Sequence, residues 1–269
     1  MRVLFIGDIF GKPGRMALYE NLTAIKEDYS TDFVIANAEN IAGGFGITEN
    51  LCKKLFRYGV DIITTGNHVW DRQDIDSYLE VEKRVLRPLN FPAGTPGFFS
   101  TVIQQNEAGA KLAVINAQGR IFMRAIDDPF RGVLAEVERL RKITPNIIVD
   151  FHAEATSEKV AMAYFLDGKV SAVFGTHTHV QTSDERILEQ GTAALTDAGM
   201  TGPHDSVIGV RSELALRLIL TGRNVRFSPA SKNIRIQGCI VDIDEGSGKA
   251  LSIERIDISV EESKNMGAE

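Results

Sequence analysis

The residues that could do chemistry lie in short polar clusters, each closing an apolar run. Val170 to Phe174 leads into Gly-Thr-His-Thr-His, placing His177 and His179 two apart. On extended chain such residues project to the same side, because successive side chains alternate faces. Neutral imidazole suits Zn, Fe, Mn or Ni, whereas the plainer alternative is a hydrogen-bonded polar turn. Other runs end in similar fashion. Arg2 to Ile9 carries Gly7-Asp8, Phe33 to Ala36 closes in Asn37-Ala-Glu39-Asn40, and Asp61 to Thr65 closes in Gly66-Asn67-His68. Asn146 to Asp150 is followed by Phe-His152-Ala-Glu.

Each cluster alone could be a turn, where Asp, Asn and Gly are favoured for local reasons. Together they hold Asp8, Glu39, Asn40, Asn67, His68, His152, His177 and His179, leaving His204 as the one histidine outside the set. Carboxylate, amide oxygen and imidazole without cysteine argue against a structural zinc site and suit a pair of harder ions, Fe, Mn or Zn. Two ions about 3.5–4 Å apart, bridged by a carboxylate, can clamp the attacking and leaving oxygens of a phosphoryl displacement. A hydroxide between them is the nucleophile that such a pair would supply.

Positioning these groups requires strands with exposed carboxyl ends. Apolar runs separated by helical patterns predict parallel βαβ units, whose ligands bind at those ends. A Gly/Pro turn at Gly11 to Gly14 precedes a helix bearing Met16, Leu18, Leu22 and Ile25. Thr48 is placed to cap a helix running to Arg57, with Gly59 as its stop. Lys111 to Asn116 reads as a strand, and Gly132 to Lys142 and Glu158 to Leu166 as helices. Pro88 to Ser100 reads as an internal loop. A helix over Ser212 to Leu220 precedes an antiparallel hairpin over Asn233 to Ile258, turning at Glu-Gly-Ser-Gly. The charged tail Glu261 to Glu269 is expected to fray. The simplest organisation is one domain over residues 1–269.

Composition narrows the class. With 43% hydrophobic and 25% charged residues the chain is expected to fold as a globular protein. A net charge of −6 argues against a protein that coats nucleic-acid polymers. Cys52 and Cys239 read as reduced core residues rather than a disulfide. No secretory leader is visible and no apolar run approaches the ~18 residues that span a bilayer, so a cytoplasmic location is expected.

The ordered motifs resemble those of the calcineurin-like metallophosphoesterases. More closely, RVLFIGDIFGKPGR, IANAEN, TGNHVWD, DFHAEATSEK and TDAGMTGP are similar to the YmdB-like bacterial branch over nearly the whole chain. The resemblance implies an α/β sandwich: two mixed sheets flanked by helices, with the metal site at the carboxyl ends of the strands. It also implies a dinuclear centre, with iron ahead of manganese or zinc, that hydrolyses small phosphodiesters including 2′,3′- or 3′,5′-cyclic nucleotides. By the same resemblance Asp8 and His179 would bind one metal and Glu39 would bridge. Asn67, His152 and His177 would serve the second metal, and His68 would donate a proton to the leaving oxygen. The wider superfamily has D-x-H where this chain has Asp8-Ile9-Phe10, and a bridging Asp where Glu39 stands. Asn40 is the expected replacement ligand.

His68 has a plainer role open to it, orienting Asn67. The Gly-rich loop Ala42 to Gly46 and the stretch Asp197 to Pro203 are candidate cleft walls or simple turns. Arg120 is a weak candidate for phosphate contact, and His204 reads as a solvated loop residue. Two other activities stay open: a phosphomonoesterase or protein phosphatase on the same metal core, and a regulatory binding protein that keeps the metal fold. The partner expected is a small phosphodiester, with neither membrane nor nucleic-acid polymer; a homo-oligomer is compatible with the sequence.

Overall fold

A computed structural model describes residues 1–72, 75–105 and 109–260. The expected fraying of the tail falls at 261–269, outside the described residues. The chain runs β1 (Arg2–Ile6), β2 (Asp8–Ile9), α1 (Gly11–Asp28), β3 (Phe33–Asn37), α2 (Glu49–Tyr58), β4 (Ile62–Thr64) and α3 (Asp76–Leu79). It continues through β5 (Ser100–Gln104), β6 (Lys111–Gln118), α4 (Pro129–Leu140), β7 (Ile147–His152), α5 (Thr156–Phe165) and β8 (Ala172–Thr176). Last come β9 (Arg186–Ile187), β10 (Ala193–Leu195), β11 (Met200–Pro203), α6 (Ser212–Thr221), β12 (Ile234–Ile243) and β13 (Ala250–Ser259).

The described strands form two mixed sheets. One has seven strands in the order β2-β11-β12-β1-β3-β4, with β13 on β12, and the other has six in the order β5-β6-β7-β8-β10-β9. β1, β3 and β4 are mutually parallel, as are β6, β7, β8 and β10. The β12–β13 hairpin is antiparallel. Parallel strands must be buried on both faces, and the layers follow from that. In β1, Val3 and Phe5 point between the sheets, where Phe5 meets Phe174 with ring centroids 5.0 Å apart. Leu4 and Ile6 point outward beneath α1 and α2. On the far side Val133, Val137 and Leu140 of α4 and Met162 of α5 cover the second sheet. Each such buried aliphatic or aromatic side chain contributes roughly 1.5–3 kcal/mol, which holds the strand ends in register. Cys52 and Cys239 are both buried and free.

Local signals explain most boundaries. The Thr48 hydroxyl accepts the Leu51 N–H, and Gly59 closes α2 at φ 109°, a left-handed value that costs glycine little. Three expectations are corrected. Residues 11–14 are the first turn of α1 rather than a turn before it, because Pro13 lacks only an N–H that the first turn leaves unpaired anyway. The Arg2–Ile9 run breaks at Gly7: Gly7 N–H bonds Gln237, and Asp8 and Ile9 pair with β11 instead. α4 starts earlier than Gly132, with Asp128 capping Phe130 N–H and Pro129 in the first turn.

Candidate active site

The site lies where the two sheets meet at their carboxyl ends. Asp8 comes from β2, Glu39 and Asn40 from the turn after β3, and Asn67 and His68 from the turn after β4. His152 ends β7, and His177 and His179 follow β8. All eight converge. His152 Nε2 is surrounded by Glu39 Oε1 at 3.2 Å, Asn67 Oδ1 at 3.0 Å and His177 Nδ1 at 3.0 Å. Nearby, His179 Nε2 lies 3.0 Å from Asn40 Nδ2 and 4.0 Å from Asp8 Oδ1. Asp8 Oδ2 accepts the His177 backbone N–H at 3.1 Å, and Glu39 Oε2 that of His68 at 3.1 Å.

The expectation that His177 and His179 share one face of an extended strand is wrong. β8 ends at Thr176, and both histidines have positive φ, 101° and 64°. The chain kinks at each, a conformation uncommon for non-glycine residues and characteristic of functional sites. The kinks divide the pair, sending His177 to His152 and His179 to Asn40 and Asp8.

Every imidazole in the cluster has its outer nitrogen tied to an acceptor. His152 Nδ1 lies 2.9 Å from the Thr176 hydroxyl, which itself donates to Asp150 at 2.7 Å. His179 Nδ1 donates to the Ile208 carbonyl at 2.9 Å, and His177 Nε2 faces Glu154 at 3.2 Å. A nitrogen that faces an acceptor carries the proton, so each ring in its neutral form would turn a lone pair inward (Nε2 of His152 and His179, Nδ1 of His177).

The donor set fits a metal. One proton on His152 Nε2 cannot serve the three acceptors around it, whereas a cation can be shared among them. Asp8 Oδ1 is fully buried without a hydrogen-bond partner. The ligand atoms of Glu39, His152 and His177 lie within 4.8 Å of one another. Electrostatics point the same way. Burial pushes the Asp8 carboxyl well above its usual range. Burial also opposes charge on Glu39 and His152, but each outweighs it for the other, lowering Glu39 and raising His152. Burial, reinforced by His152, pushes His177 down. Buried carboxylates thus depend on one imidazole for positive charge, and a bound cation would relieve that dependence. Asn40 turns its amide nitrogen toward His179, so ligation through Oδ1 requires that amide to rotate.

His68 stands at the rim. Asp71 Oδ2 holds its Nδ1 at 2.6 Å, and Phe45 packs edge-on at 5.1 Å. Beside it a cleft of about 460 Å³ is lined by the strand-end residues on one side and by Gly44, Phe45, Ile208, α6 and Phe227 on the other. No Lys or Arg lines this cleft among the described residues.

Other candidates fall elsewhere. Arg120 lines a separate groove; its side chain lies 4.0 Å from Asp128, and Glu158 accepts its backbone N–H. His204 is half-buried rather than solvated, with Nδ1 on the Gly202 carbonyl. Asp197 lies behind the histidine loop rather than in the cleft wall. Its Oδ2 accepts Lys159 Nζ at 2.6 Å and both Thr178 N–H and O–H, holding the residue between the two histidines. Sequence reasoning missed Glu154, Asp71, Thr176, Asp150 and Lys159 as partners. Glu154 and Asp71 had a local signal, lying two and three residues after a histidine; Lys159 and Asp150 had none, since their partners are distant in sequence.

The chain is similar to known proteins over nearly its whole length. The profile of the YmdB-like protein family matches residues 4–256. A Bacillus subtilis protein named 2′,3′-cyclic-nucleotide 2′-phosphodiesterase is 47% identical over 256 residues, covering 95% of this chain and 96% of that protein. A solved structure of a hypothetical protein from Thermus thermophilus has a TM-score of 0.90 at 41% identity, covering 96% and 99% of the two chains. One titled as a novel phosphatase from Mycoplasma pneumoniae has a TM-score of 0.89 at 35% identity, covering 96% and 93%. The fold is the calcineurin-like sandwich that the motifs implied. The chain belongs to the YmdB-like protein family.

Proposed function

We propose that this protein is a dinuclear metal-dependent phosphodiesterase acting on small cyclic nucleotides, 2′,3′-cyclic monophosphates first and 3′,5′-cyclic monophosphates second. The observation that carries the reading is the ring of acceptors around His152 Nε2 beside the unpartnered Asp8 Oδ1. The name of the Bacillus subtilis relative supports the substrate class. The cleft supports a diester over a monoester. Among the described residues no Lys or Arg lines it, so they offer no side-chain cation for the second negative charge of a monoester.

In this reading Asp8, His179 and Asn40 would hold one ion and Asn67, His152 and His177 the other, with Glu39 available to both. Iron suits the mixed oxygen and nitrogen donors, as manganese and zinc do. When bound, such a pair lowers the pKa of a water and neutralises charge developing on the phosphoryl oxygens. Thr176, Ile208 and Glu154 fix the tautomers of the three histidines, so the inward lone pairs are preset. Asp71 holds His68 by Nδ1, leaving Nε2 to protonate the departing ester oxygen. Its carboxylate balances the ring's charge while both nitrogens are protonated. Such acid catalysis is worth roughly 10²–10⁴-fold.

The test is metal analysis joined to turnover of bis-p-nitrophenyl phosphate and p-nitrophenyl phosphate by Mn²⁺-loaded protein. The diester should be preferred, Glu39→Gln should lose metal and activity together, and His68→Ala should lose activity with both metals retained. No turnover of a diester by fully loaded protein would sink the proposal.

A further inference from the structure

The cleft has two chemically different sides. Its polar lining residues, Glu39, Asn40, Glu154, Thr178 and the histidines, lie at the strand ends. The opposite wall is apolar, built from α6 and the segments around it. Two rings stand at its mouth. Phe45 and Phe227 are half-buried, their centroids 6.3 Å apart and their planes only 19° from parallel. A planar group held between two rings needs twice a van der Waals contact, roughly 7 Å. At 6.3 Å between centroids the two rings lie within the range of an offset stacked pair, so a base would enter the slot between them by parting them to that wider spacing.

The two phenylalanines lie outside helix and strand, and Arg72 Nε holds the Phe45 carbonyl at 3.0 Å. Phe45 is flanked by Gly43, Gly44 and Gly46, all with positive φ, and Phe227 lies in a stretch with neither helix nor strand between α6 and β12. Position matters as much as shape. Phe45 touches His68 edge-on, so the slot begins beside the group assigned to protonate the leaving oxygen. In a nucleoside 2′,3′-cyclic phosphate that oxygen and the base are carried by the same ribose. Resting on the phosphodiester reading above, we infer that Phe45 and Phe227 form an aromatic clamp for the nucleobase. It binds the base through its face. Among the described residues the apolar wall provides no side-chain donor or acceptor to read base edges, so purines and pyrimidines are both accepted.

Stacking on an aromatic side chain is worth roughly 5- to 150-fold in affinity per base. The test compares adenosine and uridine 2′,3′-cyclic phosphates with ribose 2,3-cyclic phosphate, which lacks a base. Wild type should turn over both nucleotides with kcat/KM within about tenfold of each other and well above the abasic diester. Phe227→Leu keeps apolar bulk and removes the ring face. It should raise KM for both nucleotides at least fivefold, leave kcat nearly unchanged and leave the abasic diester unaffected, and Phe227→Trp should restore KM. Calorimetric binding of adenosine 3′-monophosphate gives a readout independent of turnover and should weaken in parallel. Loss of turnover with product binding still sensitive to Phe227 would overturn the hydrolytic reading and leave the clamp standing. An unchanged ratio of nucleotide to abasic kcat/KM in Phe227→Leu, with unchanged binding, overturns the clamp.

Discussion

Gly66 gives the sharpest test of the site geometry. It lies in the turn after β4, directly against the cluster. A methyl group at its Cα would stand 2.2 Å from His152 Cδ2, 2.3 Å from His152 Nε2 and 2.5 Å from Glu39 Oε2. Ordinary contact begins near 3.4 Å, so Gly66→Ala demands a shift of about 1 Å. None of the three atoms can swing away freely. His152 is wholly buried and held by Thr176, and Glu39 is 1% exposed and receives the His68 N–H. Overpacking of this kind costs about 1–3 kcal/mol of stability. A 1 Å misplacement at a reacting centre costs on the order of 10²-fold in rate. The variant should therefore remain folded in a urea titration but lose bis-p-nitrophenyl phosphate turnover about a hundredfold, together with part of its metal. Gly246→Ala, whose nearest neighbour would be Asp244 Oδ1 at 3.8 Å, is the control and should behave as wild type. Turnover of Gly66→Ala within threefold of wild type at full metal content would refute the placement of His152 and Glu39.

Glu154→Gln keeps shape but weakens the acceptor that fixes His177, so metal affinity should fall roughly 10–100-fold, read by competition with a chelator. An unchanged metal affinity would show that Glu154 does not set that tautomer. Lys159→Met leaves Asp197 buried without its cation and should cost about 3–5 kcal/mol in urea unfolding, with the Lys159→Met/Asp197→Asn double variant recovering a substantial part. A loss below about 1 kcal/mol would mean that water reaches the pair. For Asp184, burial opposes the charge, but donors from Thr182 and Thr196 outweigh it and hold the folded pKa below the usual value of 3.8. The stabilisation is then present above that value and lost as pH falls through the lower folded pKa. Asp184→Asn should accordingly cost about 1 kcal/mol at pH 7, discounted for its partial exposure, with the difference from wild type shrinking as pH falls through the lowered folded pKa. A difference that did not shrink on acidification would contradict the assignment.

Several features were legible in the sequence because they are local. The apolar runs of β1, β3, β7 and β8 announced parallel strands buried on both faces, and Thr48 and Gly59 bounded α2 by capping chemistry alone. The polar clusters could be seen to follow those runs, and their residue types already implied a metal. What the sequence could not decide was how the clusters face one another. Asp8 leaves the line of β1 because its backbone finds Met200, nearly two hundred residues away. Likewise the kinks at His177 and His179 depend on Asp197 and Lys159, which hold Thr178 through a buried pair between elements. The Phe45–Phe227 slot joins a glycine loop to a segment far along the chain. Strand periodicity and capping operate over a few residues and are written in the local order. Tautomers, buried charge compensation and the shape of a cleft arise from groups brought together only when two sheets pack, and tertiary structure alone decides them.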